Sequence, residues 1–249
     1  MIGIIGYGMV GKAVAQGFNK TSILISDPKY NDLTISYMCS KEPEAIFVCV
    51  PTPTDNSDYE ILKSVLQEIQ DLNYKGLTVV KSTVLAHHLE KFDVLYNPEF
   101  LSRATSVNDF INPPFVLIGG NRASELLELY KKYSQVNCTR AFLTDIKTAS
   151  LAKYCMNSFY ATKVTFMNQM YEVAEKTGVK WDDLSVILAN HPWMGTHHFN
   201  VPGPDGQRGF GGPCLPKDTA ALVKEFDVEL LRKVLEINSK YRTDQDYSI

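Results

Sequence analysis

Three features of the 249-residue sequence predict an α/β fold, a doubly wound and mainly parallel sheet of the Rossmann type followed by a helical domain. A strand-like apolar run at the N-terminus leads into Gly6-x-Gly8-x-x-Gly11 and then into a helix-forming stretch. Short apolar runs without strict polar alternation recur up to Asp145, separated by helical patterns, as expected of strands covered on both faces. Beyond Asp145 the strand pattern gives way to one long helical period. These readings divide the chain into a sheet domain over 1–144 and a helical domain over 145–249.

The first strand and its glycines lie in "IGIIGYGMVGKAVAQGF". Glycines at this spacing, closing a strand and opening a helix, allow a tight turn, close approach of a pyrophosphate and close packing of helix on strand. The helix N-terminus adds free N–H donors and a favourable dipole. Gly6, Gly8, Met9, Val10 and Gly11 are therefore the expected dinucleotide turn, the alternative being a plain strand-turn-helix. The second run, "SILIS", ends at Asp27. A carboxylate at that tip accepts the ribose hydroxyls of NAD and repels the 2′-phosphate of NADP, so NAD is the expected cofactor. The alternative for Asp27 is a solvated turn acid, and Lys29 nearby leaves some room for NADP.

Further strands are expected in "EAIFVCV" (44–50), "LTVVKST" (77–83), "FDVLY" (92–96), "PFVLIGG" (114–120) and "TRAFLTD" (139–145), with helices in "YEILKSVLQEIQDL" and "ASELLELYKKYS". Ligands of such sheets bind at the carboxyl ends of the strands. The loops "VPTPTD" and "KSTV" begin there: Pro51 and Pro53 stiffen the first beside Thr52, and Thr83 holds a hydroxyl over the cofactor crevice.

From Asp145 to Gly178 there is neither proline nor glycine, and the apolar spacing predicts one helix stopped by Gly178. A short helix follows in "WDDLSVILAN", then a Gly- and Pro-rich loop over 190–213 of a length that marks functional or disordered segments. Two helices close the pattern, "KDTAALVKEF" and "VELLRKVLEINSKYR". Lys153 and Asn157 are four apart on the long helix and share a face, which by itself reads equally as a solvated polar face.

Composition narrows the function. A formal charge of −3 with no long basic run gives nucleic acid no electrostatic grip. No segment approaches the ~20 apolar residues of a membrane span, and the N-terminus lacks a signal-peptide pattern. Five cysteines without CxxC spacing point to a reducing, cytoplasmic setting rather than disulfides. The pairs His87/His88 and His197/His198 have no acid or cysteine at ligand spacing, so no metal is expected; His191 and His197 are candidates for the lining of the long loop.

The motifs "GYGMVG", "VPTP", "KSTV", "NPEFL", "NDFINP", Lys153-x-x-x-Asn157 and "GFGGPCLPKD", in this order, resemble the UDP-glucose/GDP-mannose 6-dehydrogenase family over nearly the whole chain. The resemblance implies oxidation of a sugar-nucleotide primary alcohol to the acid in two hydride transfers to NAD, with UDP-glucose the leading substrate. It makes Cys214 the nucleophile that tethers the intermediate aldehyde and gives Thr83, Glu99, Lys153, Asn157 and Asp218 supporting roles. The residue chemistry agrees: a thiolate adds readily to an aldehyde, Lys153 and Asn157 suit an oxyanion, and Glu99 with Thr83 and Asp218 suits a hydrolytic water. Glu99, Phe100, Leu101, Arg103, Lys153, Asn157, Arg208, Phe210, Gly211 and Cys214 are the expected substrate contacts.

Two departures qualify the resemblance. Arg103 stands where many members carry a second glutamate, and the sequence ends where the family continues into a second α/β domain, so a short form is expected. Two other readings stay open: a single-step dehydrogenase of a smaller hydroxy acid, which has no need of Cys214, and a degenerate NAD-binding interaction protein. Leu151, Tyr154, Phe159, Val164, Phe166, Met167, Met170 and Val173 give the long helix more apolar positions than a small helical domain covers, and a homodimer is expected.

Overall fold

A computed structural model describes residues 1–52 and 59–242. Pro53, expected to stiffen the first loop, lies outside the described residues. The chain forms two compact units, and the division falls within one helix, between Lys153 and Tyr154.

The first unit is built on a seven-stranded sheet in the order β2-β1-β3-β4-β5-β6-β7. Its strands are β1 (Ile2–Ile5), β2 (Ile23–Ser26), β3 (Ala45–Val48), β4 (Leu77–Val80), β5 (Leu95–Tyr96), β6 (Val116–Gly119) and β7 (Ala141–Thr144). All neighbours are parallel except β5 and β6, which meet antiparallel through Tyr96 and Gly119. The helices are α1 (Met9–Gly17), α2 (Ile35–Ser40), α3 (Glu60–Asp71), α4 (Ser106–Ile111) and α5 (Ala123–Tyr133).

Alternation along each strand sends side chains to two cores. Ile2, Ile4, Ala45, Phe47, Leu77, Val79, Val116 and Ile118 pack with α1, α4 and α5. Ile5, Ile46, Val48, Val80 and Leu117 pack on the other face with α2 and α3. The strands are short and buried, which is why they read as apolar runs rather than as alternation. Strand β7 is the exception, an edge strand with Phe142 and Leu143 exposed. Since β2 and β3 flank β1, the chain reverses its winding there, and the crevice for a ligand opens at the carboxyl ends of β1 and β3.

Helix α6 (Ile146–Thr177) runs for 32 residues, about 48 Å at 1.5 Å per residue. Its first turns belong to the first unit, where Ala149 is buried and the Ser150 hydroxyl donates to the Val84 carbonyl at 2.8 Å. The helix stops at Gly178, whose φ of +73° is the left-handed conformation glycine adopts freely. The second unit continues with α7 (Trp181–Ala189), α8 (Leu215–Phe226) and α9 (Glu229–Asn238). Met167 of α6 packs with Phe199 and Val201 of the long loop and with Trp181 and Leu188 of α7. Among the described residues no helix is long and apolar enough to cross a membrane.

Candidate active site

The glycine turn has the backbone its sequence requires. Gly6 has φ +89°, and a Cβ there would lie 2.8 Å from the Cys49 carbonyl oxygen, so this position excludes other residues sterically. At Gly8 a Cβ would meet no atom within 4 Å. The protein's own packing therefore leaves Gly8 facing open space, as close approach by a pyrophosphate requires. Gly8 caps α1, which has no side-chain cap and no acid in its first turn, so the N-terminal N–H groups around Met9 and Val10 remain available to an anion.

At the end of β2, Asp27 accepts from the Tyr7 N–H at 2.6 Å and from the Lys29 N–H at 2.8 Å. These two backbone donors, chiefly Tyr7, hold its carboxyl below the usual range. Asp27 is thus a fixed anion beside the glycine turn, the arrangement a ribose needs. Lys29 enters through its backbone N–H and its charge. Pro51 is exposed, and Thr52 and Thr83 are half-buried, each just past the carboxyl end of a strand. The donor set and the open face of Gly8 fit a dinucleotide.

Also in the first unit, the loop after β5 is joined to the start of α6. The Lys153 ammonium donates to the Glu99 carbonyl at 2.6 Å and to the Glu99 carboxylate at 3.3 Å, and the other carboxylate oxygen accepts from the Leu101 N–H at 2.6 Å. Lys153 and Glu99 are both buried, and the ammonium lies 5.1 Å from the centre of the Phe100 ring. Phe100 and Leu101 are half-buried, and Arg103 is exposed.

In the second unit Asp218, 1% exposed, receives the Asn157 amide at 2.5 Å on one oxygen and the Lys217 ammonium at 2.6 Å on the other. Pro216 near the start of α8 suits a helix opening because the missing N–H has no intrahelical partner there. Cys214 is the exposed N-cap of that helix, and its carbonyl accepts the Asp218 N–H at 2.9 Å. A thiol at a helix N-terminus is placed where the dipole favours its thiolate.

The loop leading to Cys214 is held by residues the sequence analysis did not name. Asn238 of α9 accepts from the Phe210 N–H at 2.8 Å and donates to the Phe210 carbonyl at 2.9 Å. Asn168 of α6 accepts from the Gly209 N–H at 3.0 Å. Arg242 donates to the Arg208 carbonyl at 2.9 Å and to Asp205 at 2.6 Å, and its guanidinium is what a Cβ on Gly211 would meet. Arg208, expected to hold substrate oxygens, has its guanidinium on the Asn168 carbonyl at 3.0 Å and on Glu172 at 2.9 Å, flanked by the rings of Tyr171 and Tyr241. One signal did exist: Asn168 lies eleven residues, about three turns, beyond Asn157 and so on the same stripe of α6. His198 stacks on Tyr160 at 4.5 Å, and His191 and His197 are exposed.

The chain is similar to known proteins over both units. Residues 25–137 match the NAD binding domain of the UDP-glucose/GDP-mannose dehydrogenase family, and residues 147–240 match the central domain of the same family. The chain is 34% identical over 217 residues to UDP-glucose 6-dehydrogenase of Rickettsia conorii, covering 79% of this chain and 49% of that protein. It is 35% identical over 219 residues to UDP-glucose 6-dehydrogenase of Rickettsia felis, covering 79% and 48%. A solved UDP-glucose dehydrogenase from the archaeon Pyrobaculum islandicum shares the fold with a TM-score of 0.80 at 24% identity, over 96% of this chain and 68% of that one. The chain spans about half the length of the relatives it matches.

Proposed function

Since this chain belongs to the UDP-glucose/GDP-mannose dehydrogenase family, we propose that it oxidises the C6 alcohol of a sugar nucleotide, UDP-glucose first among candidates, to the uronic acid with NAD, holding the intermediate aldehyde on Cys214. The observation that carries this reading is Cys214 itself, an exposed residue at the N-cap position of α8, four residues before a buried carboxylate that is fixed on both oxygens.

NAD would supply the hydride acceptor, one molecule for each of the two oxidations. The chain's own residues govern what lies between. The Cys214 sulfur bonds to the aldehyde carbon while the carbonyl oxygen takes a proton, giving a thiohemiacetal. Loss of that proton and of the second hydride leaves a thioester, and water breaks the C–S bond to release the acid and the thiol. Lys153 and Asn157, one turn apart on α6, are assigned to the oxygen that gains charge. Glu99, with Thr83 and Asp218, is assigned to the hydrolytic water. Asp27 and the turn from Gly6 to Gly11 bind the cofactor, with Lys29, Pro51 and Thr52 beside it. Phe100, Leu101, Arg103, Phe210 and Gly211 are assigned to substrate, and Arg208 orders the loop of Phe210 and Gly211.

A homodimer accompanies this reading. Tyr154 and Met167 are buried, whereas Phe159, Phe166 and Val173, seven apart, leave 64%, 48% and 48% of their surface exposed along one stripe of α6.

NADH and acid, measured together over a panel of UDP- and GDP-sugars, test the reaction. Two NADH per acid without free aldehyde is expected; one NADH per product marks a single-step dehydrogenase. Cys214→Ala is expected to keep NAD affinity and to lose acid formation by several orders of magnitude. Near-native acid production by that variant defeats the covalent reading.

A further inference from the structure

Strand β5 is two residues long, and among the described residues it shares one register pair with β6, Tyr96 with Gly119. Its pairing with β4 is carried one residue further by the Asn97 N–H, which donates to the Val80 carbonyl at 2.9 Å. The loop that leaves β5 through Pro98, Glu99 and Phe100 is thus tied to β4 by the main chain. Towards β6 a side chain takes over.

Asn97 is 3% exposed, and its amide donates to the Leu117 carbonyl of β6 at 2.7 Å. The oxygen of the same amide accepts from the ammonium of Lys81, just past β4, at 3.0 Å and from the Tyr130 hydroxyl of α5 at 2.7 Å. Lys81 and Tyr130 are buried as well. One side chain therefore joins the ends of β4 and β5 to β6 and α5, with both acceptor positions of its oxygen filled. A connected polar group in a core favours a single geometry, because another rotamer of Asn97 breaks bonds that its buried partners cannot replace with water.

Glu99 follows two residues later. Pro98 between them fixes its own φ and disfavours helical backbone at Asn97, so the Glu99 Cα lies within about 7 Å of the pinned Asn97 Cα. The carboxylate of Glu99 receives the Lys153 ammonium at 3.3 Å and the Leu101 N–H at 2.6 Å. Leu101 belongs to the same loop, so its bond moves with Glu99. Lys153 ties that loop to α6, and Asn97 ties it to β6.

We propose that Asn97 is a positioning residue for the hydrolytic step. It holds Glu99 where the carboxylate takes a proton from the water whose oxygen bonds to the thioester carbon, as the C–S bond breaks and the sulfur leaves as the thiolate. This rests on the assignment of Glu99 to that water. A displacement of about 1 Å at such a group costs on the order of a hundredfold in rate, whereas the hydride transfers do not draw on Glu99.

Asn97→Ala and Asn97→Asp, made in the full chain and supplied with UDP-glucose and NAD, test the role. Alanine removes all three side-chain bonds; aspartate keeps the acceptor for Lys81 and Tyr130 and loses the donor to Leu117. In both, steady-state acid formation is expected to fall about a hundredfold, while the rate of NADH formation in the first turnover and the KM for UDP-glucose change by less than about threefold. Enzyme quenched in acid should then show by mass an acyl group accumulated on Cys214. Deuterium exchange at the Leu101 N–H should rise in both variants, and NAD affinity reports folding; if Asn97→Ala does not fold, Asn97→Asp carries the test. Near-native acid formation in a folded variant, a parallel loss of first-turnover NADH without acylated Cys214, or unchanged Leu101 exchange would each overturn the proposal. A native chain that makes no acid defeats the reaction instead, and Leu101 exchange still decides whether Asn97 places Glu99.

Discussion

Asn157 of α6 and Asp218 of α8, 61 residues apart in sequence, meet at 2.5 Å with Asp218 almost wholly buried. The second oxygen of Asp218 carries the Lys217 ammonium, so the carboxylate is balanced by one charge and one amide. Asn157→Ala leaves one buried oxygen without its donor, at a cost of about 1–3 kcal/mol. Thermal denaturation should show a lower midpoint; an unchanged one would mean that another donor replaces Asn157.

Asp27 links the cofactor turn to pH. Its folded-state carboxyl lies below the ordinary 3.8, so whatever it contributes is fully present above that value and is lost only as pH falls through the lower folded value. ADP-ribose affinity should therefore not change on account of Asp27 between pH 5 and 8. Asp27→Ala should weaken ADP-ribose by about tenfold or more through loss of a charge-assisted acceptor. Calorimetry checks both, and equal preference of the native protein for NADP would contradict the role.

Gly209 has φ +74°, and a Cβ there would sit 2.5 Å from the Asn238 amide oxygen. Gly209→Ala combines left-handed strain with a clash at the group that clamps Phe210, and should destabilise by about 1–3 kcal/mol. Hydrogen exchange at the Phe210 N–H should rise in Gly209→Ala and in Asn238→Ala alike. Protection preserved in both variants would show that the clamp does not order the cysteine loop.

Phe159 and Phe166 should hold two copies together. Light scattering of the native chain is expected to give about 56 kDa, twice its 28.0 kDa. Phe159→Glu with Phe166→Glu should give monomers, because a buried unpaired charge opposes an apolar interface. A native particle of 28.0 kDa at micromolar concentration removes the dimer.

Local rules carried much of this fold. The alternation of apolar strands and helices, the glycine turn with Asp27, and the uninterrupted period of α6 are properties of short windows, set by backbone conformation and side-chain spacing. They were legible because each residue acts on near neighbours. Helices α2 and α4, six residues each, lay beneath that signal because so short a window has no measurable period.

What only the tertiary structure decided is which distant residues meet. The antiparallel contact of β5 with β6, the pairing of Lys153 with Glu99 across 54 residues, and the clamp of Asn238 on Phe210 depend on strand order and helix packing. The long loop was expected to bring Arg208 to substrate oxygens, yet its guanidinium goes to Asn168 and Glu172; nor did any pattern mark Lys81, buried with its ammonium on Asn97. Composition states which charges a chain contains. Burial and partners, which arise only when the chain closes on itself, determine what those charges cost and what they can bind.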